Sequence, residues 1–415
     1  MKLSARGLAT AVAAIAILLS VGAASQAELL VKEGDRVVFL GDSITQQRIY
    51  TRYVMDYFAL RYPELGVTFR NAGVGGDTAV GAIKRLDKDV LDLRPDVVTV
   101  CFGMNDAGYG PFNEERYETY MAAMTVLLAE LKGEGAKVVL LSPGPVDPDR
   151  GESWLDWNVY NDVLRRYAEG VKELAGRKAA VFADSRTLML DVQTRAKQDD
   201  PKFTMIPDAI HPSAPGQALM AYALLKALGC DRQPSGLIVD AAAEKVAADR
   251  CEVEGLSVSE REVRFTRRDL ALPTYFDPEV SAVFARAPML TEMNRYPFAV
   301  SGLAPGKWRL TVAGAEVGTF SAEELGQGVD LAALPGPWQQ LARAVNDLVK
   351  DQESIYLQKR ELNGMFSWIA TPPPEAEVEK LALMKKLDEA VGARERAWAG
   401  LVNDRTWEWR LARVE

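Results

Sequence analysis

The sequence predicts an α/β fold: a five-stranded parallel sheet with helices on both faces, followed by a smaller β-rich unit and C-terminal helices. Two observations carry this reading. Between Asp35 and about Gly229, short β-rich apolar runs alternate with amphipathic stretches of helical length, and such alternation builds a parallel sheet through right-handed crossovers. The apolar runs are continuous rather than alternating, as strands covered on both faces require.

The strand candidates are, in order, "RVVFLGDS", "VTFRNAG", "PDVVTVCFG", "AKVVLLSPG" and "KAAVFADS". Helix candidates fall near residues 47 to 62, 78 to 93, 113 to 133, 156 to 175, 186 to 197 and 214 to 228. Ser213 is placed to cap the last of these and Gly229 to end it. Beyond Cys230 the rhythm changes. "KWRLTVAGAEVGTFS", Lys307 to Ser321, reads as a hairpin turning near Ala313-Gly314. Residues 335 to 363 are helical in pattern, "TPPP" at 371 to 374 breaks the chain, and a highly charged helix follows from about Glu375. The expected units are a signal peptide over 1–27, the α/β unit over 28–230, a small β-rich unit over 231–330 and a mostly helical extension over 331–415.

The signal peptide is read from Lys2 and Arg6, which precede an uncharged run from Leu8 to Gly22 and the small residues of Ala24-Ser25-Gln26-Ala27. That run is shorter than the roughly 20 residues of a spanning helix, so cleavage after Ala27 is expected rather than a membrane anchor. The location expected is periplasmic or extracellular. Losing Lys2 and Arg6 takes the formal charge from −9 to −11, which disfavours nucleic acid and anionic lipid as partners.

Three cysteines are too few for a disulfide framework, and neither they nor the single histidine form a cluster with metal-ligand spacing. No metal or cofactor is expected. Cys101 lies inside an apolar run and reads as buried, while Cys230 and Cys251 could pair in an oxidising compartment.

Ligands of open parallel sheets bind outside the carboxyl ends of the strands, and polar clusters stand at those ends. Gly41-Asp42-Ser43 follows the first strand, Asn71 to Thr78 the second and Gly103-Met104-Asn105-Asp106 the third, while "DAIHPSAPG" precedes the last helix. Ser43 sits at a strand-to-helix turn but needs a base to act as a nucleophile. His211, the only histidine, is the side chain best matched to that task near neutral pH. Asp208, three residues earlier, is placed to hold the imidazole tautomer. An oxyanion formed at an acyl carbon needs donors, for which the backbone N–H groups of Ser43 and Gly76 and the Asn105 amide are the candidates. Asp42 and Asp106 read as loop braces, and Gly41 and Gly73 as strand-exit turn residues.

"GDSIT", "NAGVGGDT", "GMND" and "DAIHP" resemble the four signature blocks of the SGNH hydrolases, also called GDSL-like esterases and lipases. The resemblance covers about residues 35 to 229. It implies a flavodoxin-like three-layer α/β/α fold and metal-free hydrolysis of esters or thioesters. It puts the nucleophile on Ser43, the oxyanion glycine on Gly76 rather than Gly75, the oxyanion asparagine on Asn105, and the acid and base on Asp208 and His211.

Trp154 and Trp157 in "GESWLDWN", with Tyr109, are candidate substrate contacts, with core packing the competing reading for each. Secreted proteins resembling this family often remove O-acetyl groups from carbohydrates, so an ester of that kind is the expected substrate. Lysophospholipids and acyl thioesters are the rival class. An acceptor other than water would make the protein an acyltransferase, and a binding or scaffold protein that uses the C-terminal half is the non-enzymatic alternative.

Overall fold

The computed structural model describes residues 28–230, 233–367 and 373–414; the expected signal peptide at 1–27 lies outside the described residues. Strands β1 (Arg36–Gly41), β2 (Thr68–Gly73), β3 (Val97–Cys101), β4 (Lys137–Leu141) and β5 (Val181–Ala183) form one parallel sheet in the order β2-β1-β3-β4-β5. All five lie within the runs read from the sequence. Every residue of β3 is buried, which is why VVTVC shows no polar alternation. Helices α1 (Ser43–Gln46), α2 (Ile49–Arg61), α3 (Ala79–Asp89), α4 (Glu114–Gly133), α5 (Trp157–Arg177), α6 (Ser185–Asp199) and α7 (Ala214–Ala227) complete this flavodoxin-like part of the chain. The strand order reverses at β1, so the crevice opens between the carboxyl ends of β1 and β3.

Most of these helices begin on a side-chain cap. Asp42, Thr78, Asn113, Asp156 and Asp184 each accept a backbone N–H at the starts of α1, α3, α4, α5 and α6, a contribution of about 1 kcal/mol apiece. The start of α7 departs from the sequence reading. Ser213 occupies the cap position, yet its hydroxyl donates to the Met205 carbonyl at 3.1 Å and caps nothing. Gly229 ends α7 as expected, with φ of +77°.

The second half holds two further sheets. Strands β6 (Gly236–Asp240), β7 (Lys245–Asp249), β10 (Pro297–Ser301) and β13 (Val329–Asp330) are ordered β13-β10-β6-β7, with β6 and β10 parallel. An antiparallel sheet runs β12-β11-β14-β9-β8, from β8 (Cys251–Val258), β9 (Glu262–Asp269), β11 (Lys307–Val312), β12 (Ala315–Ser321) and β14 (Thr406–Val414). The β11–β12 hairpin turns where it was expected, at Ala313 and Gly314, with φ of +49° and +79°. Short helices α8 (Ser281–Phe284), α9 (Met289–Met293) and α10 (Ala322–Gln327) link the strands. Helices α11 (Pro337–Ser367) and α12 (Pro374–Asn403) form an antiparallel pair, bridged by Lys359–Asp388 and by Arg394–Asp351 at 3.9 Å.

The sequence pattern predicts helix and no strand over residues 331–415. Strand β14 nevertheless lies between β11 and β9, at the middle of the antiparallel sheet. Its Trp409 stacks on Trp338 of α11, with ring centroids 5.8 Å apart, and on Phe265 of β9 at 5.9 Å. Beneath that ring Arg267 and Asp269, both fully buried, pair at 2.6 Å. The Tyr296 hydroxyl donates to Asp269 at 2.8 Å. Cys230 and Cys251 are buried and no disulfide joins them; the Cys251 thiol donates to the Gly236 carbonyl at 3.3 Å. No described helix is long and apolar enough to cross a membrane.

Helix α11 lies along α2 and presents polar groups to it. Asn346 donates to Asp56 at 2.5 Å, and the Thr51 hydroxyl donates to Glu353 at 2.7 Å. Both acids are buried, which pushes Asp56 up to about 8 and Glu353 to about 7.

Candidate active site

Ser43 opens α1 directly after β1. Two glycines let this short helix rest on the strand ends: a Cβ on Gly41 would lie 2.1 Å from Thr45 Oγ1, and one on Gly73 would lie 2.3 Å from the Gln46 nitrogen. Both residues belong to their strands. Close approach of α1, rather than a turn, therefore requires glycine there. Asp42 accepts the Ile44 N–H at 3.0 Å, the bracing role expected of it. Burial, with smaller contributions from the charges of Asp106 and Asp77, pushes its carboxyl up to about 7.

The loop before α7 brings His211 to this helix. Ser43 Oγ lies 2.8 Å from His211 Nε2, and His211 Nδ1 lies 2.8 Å from Asp208 Oδ2. The other Asp208 oxygen accepts the backbone N–H groups of Ile210 at 3.0 Å and His211 at 2.7 Å. Partial burial pushes Asp208 upward, but these hydrogen bonds outweigh it and hold the carboxyl below the usual carboxylate range. Ala209, between acid and base, has φ of +72°, a conformation uncommon for alanine that must be held by its surroundings. Its N–H donates to Ile206 at 3.1 Å and its carbonyl accepts from Asp147 at 3.0 Å.

Gly76 projects from the loop after β2 with φ of +71° and open space where a Cβ would be. One Asn105 amide hydrogen is spent on the Asp77 carbonyl at 2.9 Å, and the Tyr109 hydroxyl donates to Asn105 Oδ1 at 2.9 Å. The amide is thereby oriented with its second N–H still to give. Asp106 accepts from the Ala79 nitrogen at 2.8 Å and the Gly103 nitrogen at 2.9 Å, tying the loops after β2 and β3 together. Burial raises it to about 6.

The three aromatic candidates occupy different settings. Tyr109 stacks on Tyr160 with centroids 5.2 Å apart and lies 6.3 Å from the Trp154 ring. Trp154 is 59% exposed. Trp157 is only 6% exposed, and its indole N–H donates to the Glu152 carbonyl at 2.8 Å. That ring packs the start of α5, and Trp154 is left as the exposed face, with half-buried Tyr109 beside it.

Two supports of the site escaped the sequence reading. Gln217, fully buried on α7, accepts the Tyr50 N–H at 3.0 Å and donates to Gln47 at 2.5 Å and to the Pro212 carbonyl at 3.0 Å. It joins the serine helix to the histidine loop. The available signal was an amide in the otherwise apolar start of α7, APGQALM. Arg85 donates to Asp77 at 2.8 Å, to the Ala72 carbonyl at 2.7 Å and to the Gly41 carbonyl at 3.3 Å, and a lone arginine on an amphipathic helix gives no such signal.

Residues 39–219 match the model of the GDSL-like Lipase/Acylhydrolase family. An acetylxylan esterase of Geobacillus stearothermophilus is 26% identical over 226 residues, covering 47% of this chain and 94% of that protein. An uncharacterized lipoprotein of Bacillus subtilis (strain 168) is 29% identical over 127 residues, 29% of this chain and 52% of its own length. A solved structure of a gut microbial diltiazem-metabolizing enzyme is similar over 92% of this chain and 98% of that one, with 26% identity and a TM-score of 0.79. That likeness reaches well past the α/β part, into the second half of the chain.

Proposed function

Because residues 39–219 belong to the GDSL-like lipase/acylhydrolase family of SGNH hydrolases, and the chain is thereby an ester-hydrolysing serine hydrolase, we propose that Ser43, His211 and Asp208 are its catalytic triad. The observation that carries the assignment is the unbroken run of contacts from Ser43 Oγ through both imidazole nitrogens to Asp208, each 2.8 Å long. Ser43 attacks the acyl carbon as His211 Nε2 takes its proton. The oxyanion accepts hydrogen bonds from the backbone N–H groups of Ser43 and Gly76 and from the Asn105 amide. The bond to the alcohol breaks, and the alcohol leaves with the proton held by His211. Water then attacks the acyl-enzyme, losing a proton to His211, which returns it to Ser43 as the acid departs.

The substrate proposed is an O-acetylated carbohydrate met outside the cytoplasm. Three features support it: the acetylxylan esterase relative, the exposed Trp154 ring beside Tyr109, which offers a sugar a stacking face, and the N-terminal layout of an export signal. The near full-length likeness to a diltiazem-metabolizing enzyme favours a second reading, a small-molecule ester.

A fluorophosphonate probe should label the folded protein at Ser43, and absence of labelling would sink the triad. Hydrolysis of p-nitrophenyl acetate, butyrate and octanoate beside acetylated xylan separates the substrate classes. Release of acetate from xylan supports the carbohydrate reading, and turnover confined to the small esters supports the second.

A further inference from the structure

The exit of β2 is held by a residue from the far end of the chain. Strand β2 stands at the edge of its sheet with β1 as its neighbour, so its outer carbonyls face away from the other strands. Arg360 of α11 donates through Nη1 to two of them, Asn71 at 3.1 Å and Gly73 at 2.9 Å. Those residues are two apart and share one edge of the strand. Arg360 Nη2 donates to Asp89 at 2.9 Å, Asp89 also accepts from Arg85 at 3.1 Å, and Arg85 holds the Asp77 carboxylate at 2.8 Å. The Asp77 carbonyl is the acceptor that orients Asn105.

The same helix sends a second thread to the same place. Glu353, seven residues before Arg360, accepts from Thr51 Oγ1, which in turn accepts from the Asn71 amide at 3.2 Å. Asn71 Oδ1 accepts the Gly73 N–H at 2.9 Å. Both threads end on Asn71 and Gly73, immediately before Val74-Gly75-Gly76-Asp77. Displacing reacting groups by about 1 Å can cost about 10²-fold in rate, so the stiffness of this exit bears on catalysis.

We propose that Arg360 is a positioning residue for the oxyanion donors, clamping the strand end that carries Gly76 and setting Asn105 through Asp89, Arg85 and Asp77. The proposal rests on the serine esterase reading above. It makes the C-terminal helical pair part of the working enzyme rather than an attachment to it.

The test compares wild type, Arg360→Met, Arg360→Lys, Arg360→Ala and Asn346→Ala on p-nitrophenyl acetate, with Tm for each. Arg360→Met should lower kcat at least tenfold with KM within about twofold of wild type, Arg360→Lys should fall between, and millimolar guanidinium should restore part of the activity of Arg360→Ala. Asn346 lies on the same face of α11 but contacts Asp56, so Asn346→Ala should lower Tm and leave kcat unchanged. Should Arg360→Met fail to fold, the same split is read from Arg360→Lys. Arg360 variants with wild-type kcat, or an Asn346→Ala loss of kcat as large as theirs, overturn the proposal while wild-type turnover and labelling at Ser43 keep the esterase reading intact. A wild type that neither turns over esters nor is labelled removes both.

Discussion

Asp208 grips His211 twice, accepting its backbone N–H at 2.7 Å on one oxygen and facing its Nδ1 at 2.8 Å with the other. The acid thus sets both the loop and the ring. In Asp208→Asn one oxygen can still accept from the main chain, while the amide group facing Nδ1 favours the wrong tautomer. A fall in kcat of about 10⁴ is expected with little change in Tm. His211→Ala should cost about 10⁴ or more, since no second histidine can take over. Either variant keeping a tenth of wild-type turnover of p-nitrophenyl acetate would remove that residue from the relay.

Asn105→Ala removes one of the proposed oxyanion donors and should lower kcat by about 10²- to 10³-fold with KM nearly unchanged. Tyr109→Phe deletes only the hydroxyl that orients this amide, a hydrogen bond of about 1 kcal/mol, or roughly fivefold. Burial keeps the Tyr109 hydroxyl protonated up to about 12, so its effect should not vary with pH across the working range. Equal losses from the two variants would mean that Asn105 acts only through the loop.

Stability should fall as pH rises from about 5 to 8. Burial raises Asp106 to about 6, Asp42 and Glu353 to about 7 and Asp56 to about 8. Over that interval the folded protein keeps protons that the unfolded chain releases, at up to about 1.4 kcal/mol per pH unit for each group. The contribution is full below the unfolded value near 4 and is gone above about 8. Asp208, Asp277 and Glu292 are shifted the other way and cost stability only in stronger acid. A Tm that is flat or rising between pH 5 and 8 contradicts this, and Asp56→Asn should flatten the slope.

Arg267→Met should destabilise the protein by about 3–5 kcal/mol in urea unfolding, because Asp269 is left charged and buried without its partner. The pair lies in the antiparallel sheet rather than at the serine crevice, so kcat per folded molecule at low temperature should hold. Normal stability in this variant would show that Tyr296 and water suffice for Asp269.

The α/β part was legible because its strands are continuous apolar runs and its polar residues stand immediately after them. The candidates Ser43 and Asn105 are found that way, and Asp208 and His211 by the polar loop before α7 that holds the single histidine. The side-chain supports were not. Asn346, Glu353 and Arg360 recur every seven residues on α11, yet polar residues on a long helix ordinarily face water, and only the packing of α11 on α2 and on the exit of β2 shows that these point inward. Strand β14 does alternate, with Trp407, Trp409 and Leu411 on one side of TWEWRLARV. It directly follows a charged helix, and its partner residues on β9, such as Val263 opposite Leu411, lie more than a hundred positions upstream. Local pattern carries no register over that distance. Ser213 shows the reverse, a local signal present but overridden when its hydroxyl found Met205 instead.

The placement of β14 also bears on the order in which the chain assembles. Until its nine residues arrive, β8–β9 and β11–β12 are two separate hairpins with no strand between them. Sequence-distant closures of this kind are slow, so the second half should be the last to become protected from hydrogen exchange during refolding. Once closed, it tethers α11 and α12 at both ends, through β13 on one side and β14 on the other. A break between Arg360 and the β2 exit therefore leaves the arginine close by, at high local concentration, and the contact can re-form without either half of the chain coming apart.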